Sequence, residues 1–430
     1  MGATSKIKME FGMRMARHVI FREIMSGCRK NLLLSPLSLQ FMLNLVASGS
    51  SGRSFDQLLS FLESESIGDL NKQASQIMAI TTSERSSNSS RQESVSGQQG
   101  PFSSYSLSGI SGPSISEYQT PLVGFVNGLW VDHRFPLKES FKEIAKDVYN
   151  VEVRTIDFIT QGKQVKKEAN LWAKKATKGL IKKLLPPRSF DKDSMLVFAN
   201  GLYFKGILVS AFEPSRIRYE AFHLLSGATI KVPFMTGGSG SDMRPFYESF
   251  KGFKLLKLPF KSDQDNKQFC MYIFLPDKKF GLQKLMERIN SDPRLLHGQL
   301  ELEKVKLGNV WIPKMTFSYH IEVSSVIKEL GLTLPFKETD GELKEMVDSA
   351  DGEKVRGSKL IHKARIQVSE KGKEAADCND LLSEVTCGSD VDVQSPPSFV
   401  ADHPFIFMIK EERSEVIFFV GAVFNPLLEA

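Results

Sequence analysis

Three short apolar segments place the strongest constraint on the fold of this 430-residue chain. Residues 196–203, 269–275 and 416–424 are rich in β-branched and aromatic side chains and are hydrophobic on both faces. Such segments form central strands of sheets that are covered on both sides. Helical patterns are concentrated in the first 80 residues and again in residues 163–185, so the sequence predicts an α+β fold.

The composition is that of a globular protein with a large core. Hydrophobic residues make up 41% of the chain and charged residues 25%. No hydrophobic segment reaches the roughly 18 residues of a membrane span. Residues 1–22 interleave five basic side chains with apolar ones, unlike a secretory signal, and Phe11, Met15 and Val19 predict an amphipathic helix. We therefore expect a cytoplasmic or nuclear protein with no membrane partner.

The four cysteines are expected to be free thiols, because a reducing compartment keeps them unpaired. No CxxC pair occurs and the seven histidines are scattered, so the sequence predicts no metal site. Cys28 and Cys270 lie among apolar residues and are predicted to be buried. Cys378 and Cys387 lie in an acidic segment. A redox-switchable pair is one interpretation there, and two exposed thiols without a role is the one we favour.

A Ser-rich segment at residues 81–120 interrupts the helical pattern. It contains few large apolar side chains, so it cannot bury enough surface to offset its ordering entropy. We predict a disordered insertion. Such an insertion destabilises the fold little, because loop-closure entropy grows only logarithmically with length.

The C-terminal part of the chain contains a hinge of small residues followed by a long acidic segment. The hinge reads Glu370-x-Gly372-x-Glu374-Ala375-Ala376, and an Asp-His-Pro-Phe sequence follows the acidic segment. This order resembles the reactive-centre loop of a serpin, a fold in which the cleaved loop inserts into a sheet.

Other motifs follow in serpin order along almost the whole chain. They are NLLLSPLSLQ at 31–40, GSSGRSFDQLLSFL at 49–62, FVNGLWVD at 125–132, ANGLYFKG at 199–206, VPFM at 232–235, IFLPD at 273–277, IPK at 312–314 and FVGAVFNP at 419–426. The segments NLWAKKATKGLIKKLLPP and EMVDS are most similar to the plant branch. The resemblance implies a single serpin domain over residues 1–430, with three β-sheets, eight or nine helices and an exposed reactive-centre loop at residues 370–398.

The resemblance also implies which residues form the working parts. Lys314 and Glu370 match an ion pair at the top of the sheet, and the reactive bond falls near Thr386 and Cys387. A polar cluster beneath the sheet marks the place where strands part to admit the loop, and its members must be hydrogen-bonded if buried. The matching residues are Ser35, Ser38, Asn200 and His362.

The hinge departs from the pattern of family inhibitors, which have small uncharged residues there. The hinge residues are Glu370, Gly372, Lys373, Glu374, Ala375, Ala376 and Asp377. One face of an inserted strand would carry Lys373 and Asp377, and the other would carry Glu374 and Asp380. Burying an unpaired charge costs several kcal/mol, although a Lys373–Asp377 pair or a snorkelling lysine would reduce that cost.

We therefore predict a protein of serine-protease-inhibitor descent that is non-inhibitory. The alternative is an active suicide-substrate inhibitor that traps a serine or cysteine protease by loop insertion. A third hypothesis is a substrate that the protease cleaves without being trapped. Leu208 stands where the family has Trp, Glu415 replaces a turn Gly, and no basic residue lies between Glu374 and Ser398 to direct cleavage.

The net charge of +6 is concentrated in one predicted helix. Its apolar positions Val165, Ala169, Trp172 and Ala176 recur at helical spacing. A polyanion site of the kind some serpins use for glycosaminoglycans is one interpretation, and the solvated face of a surface helix is the one we favour. Because no aromatic residues alternate with the lysines, we expect no nucleic-acid partner. The lysines are Lys163, Lys166, Lys167, Lys174, Lys175, Lys178, Lys182 and Lys183.

No catalytic motif such as G-x-S-x-G, a P-loop or H-E-x-x-H occurs. Asp402 and His403 could be joined with a serine into a triad on paper, but triads are recognised by geometry. A hydrogen-bonded structural role is the interpretation we favour for His403. We expect a monomer that is not an enzyme and uses no cofactor, with a serine or cysteine protease as its implied partner.

Overall fold

The structure is a computed structural model. It describes residues 9–27, 29–81, 121–190, 194–209, 212, 217–237, 244–262, 267–297, 302–334, 342–348, 359–369 and 396–429. Most of the predicted Ser-rich insertion and residues 370–395 of the predicted reactive-centre loop lie outside these ranges, as do Cys28, Cys378 and Cys387.

The described residues form nine helices. They are α1 Glu10–Met25, α2 Pro36–Ser48, α3 Gly52–Phe61, α4 Ile67–Thr81, α5 Glu139–Asp147, α6 Gly162–Ala176, α7 Leu282–Ser291, α8 Arg294–His297 and α9 Ser324–Glu329. None of these helices combines the length and the apolar composition needed to cross a bilayer.

Sixteen described strands form three sheets. They are β1 Leu32–Leu34, β2 Leu122–Asp132, β3 Val151–Ile156, β4 Leu196–Ile207, β5 Ile217–His223, β6 Thr229–Gly237, β7 Phe246–Phe250, β8 Phe253–Pro259, β9 Phe269–Pro276, β10 Glu303–Lys304, β11 Val310–Pro313, β12 Met315–Glu322, β13 Lys359–Ser369, β14 Phe399–Val400, β15 Phe405–Glu411 and β16 Ile417–Val423. The strand orders are β12-β13-β4-β2-β3, β1-β16-β15-β9-β8-β7-β10 and β14-β11-β6-β5.

Backbone contacts divide the chain into two compact units. The first comprises Met1–Met15, Ser35–Phe204 and His320–Arg365, and the second comprises Ala16–Leu34, Lys205–Tyr319 and Ile366–Ala430. Strands β4, β12 and β13 contribute residues to both units. The seven-stranded and four-stranded sheets belong to the second unit.

The three apolar segments form the strands β4, β9 and β16, as predicted. Every residue of β9 and β16 is buried, which confirms that these strands are covered on both faces. The amphipathic N-terminal helix is also confirmed, because Phe11, Met15 and Val19 of α1 are buried. Cys270 lies buried in β9, as predicted, and this burial raises the pKa of its thiol to about 12.

The Lys-rich helix is shorter than the predicted residues 163–185. The helix α6 ends at Ala176, because Lys178 and Gly179 both adopt positive φ angles of 48° and 86°. Val165 and Ala169 pack on the sheet as expected, whereas Ala176 is exposed and Ala173 takes its place in the core. The α6 lysines other than the half-buried Lys166 are exposed, as a solvated helix face requires.

Glu415 occupies a left-handed position in the hairpin between β15 and β16, with φ of 58°. A side chain in this region costs about 1 kcal/mol, and glycine relieves that strain at a smaller cost in unfolded-state entropy. We expect Glu415→Gly to raise the free energy of unfolding by up to about 0.5 kcal/mol in urea titrations. The matched control Arg413→Gly lies in the same turn without a positive φ and should lower stability. Loss of stability in Glu415→Gly would contradict the strain.

Candidate functional site: a polar cluster beneath the five-stranded sheet

Buried polar residues join the start of α2 to two strands of the five-stranded sheet, all within the first unit. The Ser35 backbone N–H donates to His362 Nε2 at 3.1 Å. His362 Nδ1 lies 3.3 Å from Asn200 Oδ1, which links β13 to β4. All three residues are fully buried, so each of these hydrogen bonds is protected from water.

These partners determine the protonation state of His362. Its Nε2 accepts a hydrogen bond and must therefore carry no proton, so the neutral ring is protonated at Nδ1 and donates to Asn200. Complete burial lowers the pKa of His362 to about 3, with smaller contributions from His320 and Lys363. The ring therefore stays neutral at ordinary pH, and a second proton would remove the acceptor for Ser35.

The cluster contains a residue that the sequence reasoning missed. Asn200 Nδ2 donates to Asn127 Oδ1 at 2.6 Å, and Asn127 Nδ2 donates in turn to the Tyr149 carbonyl oxygen at 3.2 Å. Asn127 lies on β2, so hydrogen bonds run across three strands of the sheet. The signal was a single amide within the apolar FVNGLWV segment.

Ser38 joins the cluster only through its backbone. Its N–H donates to Ser35 Oγ at 3.1 Å, which caps the first turn of α2. The Ser38 Oγ is buried and makes no hydrogen bond to any atom of the described residues. A buried hydroxyl without a partner costs about 1–3 kcal/mol, so the Ser38 side chain lowers the stability of the folded protein.

The strand β13 has one fully buried face and one partly exposed face. Leu360, His362, Ala364, Ile366 and Val368 are buried, and the odd-numbered positions between them are partly exposed, apart from Ile361. A strand inserted beside β13 would continue the same two faces, since side chains alternate. Charged residues on its inner side would therefore enter a buried environment in which the β13 side chains other than His362 are apolar.

In the second unit, the far ends of β13 and β4 are joined by a backbone hydrogen bond. The Leu208 N–H donates to the Ser369 carbonyl oxygen at 3.2 Å. Leu208, which replaces the family's Trp, is only 3% exposed and forms an isolated bridge to Phe260. The smaller side chain is therefore still accommodated in the core.

The comparisons with known proteins identify the family. A family model described as Serpin (serine protease inhibitor) matches residues 6–426. The chain belongs to the serpin family. Serpin-ZXA of Oryza sativa subsp. japonica is 35% identical over 408 residues, which cover 94% of this chain and 92% of that protein.

Further matches agree with the plant branch of the serpins. Serpin-Z10 of Arabidopsis thaliana is 37% identical over 416 residues, covering 96% of this chain and 95% of that protein. The solved structure of Arabidopsis AtSerpin1 in its native stressed conformation has a TM-score of 0.79 at 32% identity, covering 99% of this chain and 100% of that chain. The predicted plant-type serpin and its three-sheet fold are confirmed.

Several residues predicted for the serpin loop lie outside the described residues. They are Glu370, Gly372, Lys373, Glu374, Ala375, Ala376, Asp377, Thr386 and Cys387. Lys314, the predicted partner of Glu370, follows β11, and its backbone N–H donates to the Pro233 carbonyl oxygen at 3.0 Å. The Lys314–Glu370 pair therefore stays a prediction.

His403 has the structural hydrogen bonds that the sequence interpretation favoured. Its Nδ1 lies 2.7 Å from Asp402 Oδ1, and its Nε2 lies 2.7 Å from the Pro276 carbonyl oxygen. A triad would need a serine hydroxyl at that second nitrogen. Desolvation opposes ionisation of Asp402, but the hydrogen bond from His403 and nearby positive charges keep its pKa below the usual value.

Among the described residues, one cluster of two aspartates and a histidine has the spacing of metal ligands. The ligand atoms of Asp132, His133 and Asp157 lie within 4.8 Å of one another. Asp132 accepts hydrogen bonds from Arg134 Nε at 2.6 Å and from the Phe158 backbone N–H at 3.1 Å. Asp157 accepts from the Thr160 hydroxyl at 2.6 Å and from the backbone that follows it. These donors account for the arrangement as a pair of hydrogen-bonded turns.

Proposed function

We propose that this serpin presents its loop to proteases but does not insert it efficiently, and so is not an effective protease trap. The observation that carries this proposal is the completely buried inner face of β13. An inserted strand would place either Lys373 and Asp377 or Glu374 and Asp380 beside that face, whichever register it adopts.

The cost of burying these charges lowers the rate of loop insertion. A serpin traps a protease only when insertion is faster than hydrolysis of the acyl-enzyme. Burying two charges raises the insertion barrier by several kcal/mol, and each 1.4 kcal/mol slows insertion about tenfold. Hydrolysis then releases the protease intact, and the serpin behaves as a binding protein or as a substrate.

The change at Leu208 supports the same conclusion. In family inhibitors a Trp packs where the loop first enters the sheet, and here a smaller Leu is buried at that position. The loop would thus lose an aromatic contact at the first step of insertion. Leu208 also holds its hydrogen bond to Ser369, which an entering strand would have to replace.

A trapping inhibitor is the second candidate, and specific observations favour it. In the five-stranded sheet β13 lies next to β4, the arrangement that precedes insertion in the serpin mechanism. The similar AtSerpin1 was solved in a form described as native and stressed. The intact polar cluster that links β13 to β4 would be the element that opens.

Protease incubation separates the two candidates. The serpin would be mixed with a panel of serine and cysteine proteases and analysed on denaturing gels. We expect cleaved serpin without a covalent complex of higher mass. We also expect cleavage in the loop to change the melting temperature by less than about 2 °C, because no strand is added to the sheet. A covalent complex, or a large rise in melting temperature after cleavage, would support the trapping inhibitor instead.

We propose a monomer that acts in the cytoplasm or nucleus, with a protease as partner and without catalysis of its own.

A further inference from the structure

A second cluster of charged residues lies on the opposite face of β13 from the polar cluster. Lys359, Lys363 and Arg365 all occupy this outer face, and each is partly buried. Lys363 and Arg365 are two residues apart on the strand, which places their side chains side by side at a backbone spacing of about 7 Å. Two cations are therefore neighbours on the sheet surface within the first unit.

The segment that follows α6 covers this part of the sheet. Ile181 and Leu184 pack in the same apolar cluster as Ile361 of β13. Lys359 Nζ donates to the Arg188 carbonyl oxygen at 3.0 Å, which holds the end of the segment against the start of β13. These contacts place Lys183, between Ile181 and Leu184, beside the outer face of the strand.

Lys183, Lys363 and Arg365 have no acidic partner in the part of the chain that the structure describes. Lys183, Lys363 and Arg365 make no ion pair there, and the Arg365 Nε is buried without a hydrogen-bond acceptor. Residues 162–190 contain nine basic residues and only one acidic residue, Glu168, whose carboxylate accepts a hydrogen bond from Gln164. The local field is therefore strongly positive.

The electrostatic environment of Lys363 agrees with this geometry. Desolvation, followed by the charges of Arg365 and Lys183, lowers the pKa of Lys363. Lys363 in turn helps desolvation to lower the pKa of His320 on the neighbouring strand β12. A purely solvated surface would leave these groups screened by water. Half-buried cations of like sign, with a guanidinium N–H left unbonded, are stabilised when an anion binds between them.

We propose that Lys183, Lys363 and Arg365 form a binding site for an oxyanion of the phosphate or sulfate class on the outer face of the five-stranded sheet. The guanidinium of Arg365 offers planar donors that match two oxygens of such an anion, and the two lysines supply charge. The oxyanion can be a free ion or a group carried on a polymer that also follows the exposed lysines of α6. Both sources share the chemistry that the site recognises.

Binding of inorganic phosphate to the full-length serpin tests the site. Phosphate would replace chloride at constant ionic strength, with calorimetry and the melting temperature as readouts. We expect saturable binding and a rise in melting temperature. The double variant Lys363→Gln with Arg365→Gln should bind phosphate at least tenfold more weakly, and Arg365→Lys should fall between the two. Circular dichroism would verify that each variant is folded.

The control variant carries Lys163→Gln with Lys167→Gln, on the exposed face of α6. It should bind inorganic phosphate within about twofold of the unaltered serpin. Absence of saturable phosphate binding, or equal binding by the Lys363/Arg365 variant, would overturn the proposal.

Polyphosphate distinguishes the two sources. If the polymer binds more than tenfold tighter than phosphate and the α6 variant loses that gain, the site recognises a polymer-borne group. Equal affinities identify a site for the free ion. Either result supports the site, provided that the Lys363/Arg365 variant is impaired.

Discussion

Substituting Lys373→Thr together with Asp377→Ala should convert this serpin into a protease trap. The two changes remove both charges from one face of the hinge, so that an inserting strand places only small or uncharged residues there. Removing this burial cost lowers the barrier by about 3 kcal/mol, which corresponds to roughly a hundredfold faster insertion. The measurement is the fraction of serpin that forms a denaturant-resistant complex with a protease that cleaves the loop.

The matched control for this variant carries Glu374→Ala with Asp380→Ala, which clears the opposite face. Since only one face lies against the buried residues of β13, the Lys373/Asp377 variant should gain trapping and this control should not. The identity of the successful variant reveals the register of insertion. If neither variant forms a complex while both are cleaved at the original rate, hinge charge is not what prevents insertion.

Stability should fall steeply in mild acid because of His362. Its pKa is about 3 in the folded protein, against about 6.5 in the unfolded chain. Below pH 6.5 the unfolded chain therefore binds a proton at His362 that the folded protein does not bind. The free energy of unfolding consequently decreases as the pH falls. This single group should remove about 2 kcal/mol between pH 7.5 and pH 5.

Urea unfolding at several pH values would measure this effect. The variant His362→Gln cannot take up the proton, so its unfolding free energy should change less over the same interval, although it is lower at pH 7.5. Between pH 7.5 and pH 8.5 the two proteins should have parallel profiles, because the imidazole is neutral in both states. Equal acid sensitivity of the variant and the unaltered serpin would show that His362 is not the group responsible.

The family motifs predicted some members of the polar cluster but not all of its hydrogen bonds. Ser35, Asn200 and His362 were identified by their resemblance to family positions, and the structure brings them together across 162 and 327 residues of sequence. Asn127 was missed, because a lone amide in an apolar strand gives no sign of its partner. Ser38 was included, yet its hydroxyl makes no hydrogen bond within the described residues.

The linear sequence was enough to predict the serpin resemblance, the buried strands β4, β9 and β16 and the charges of the hinge. These depend on local patterns, such as apolar residues on both faces of a strand, which persist whatever the rest of the chain does. The folded structure was needed to show which nitrogen of His362 carries the proton and that the Leu208 N–H donates to the Ser369 carbonyl oxygen. It was also needed to show that Lys363 and Arg365 make no ion pair among the described residues. Each of these depends on which distant groups come within hydrogen-bonding or Coulombic range, and a linear pattern does not encode that proximity.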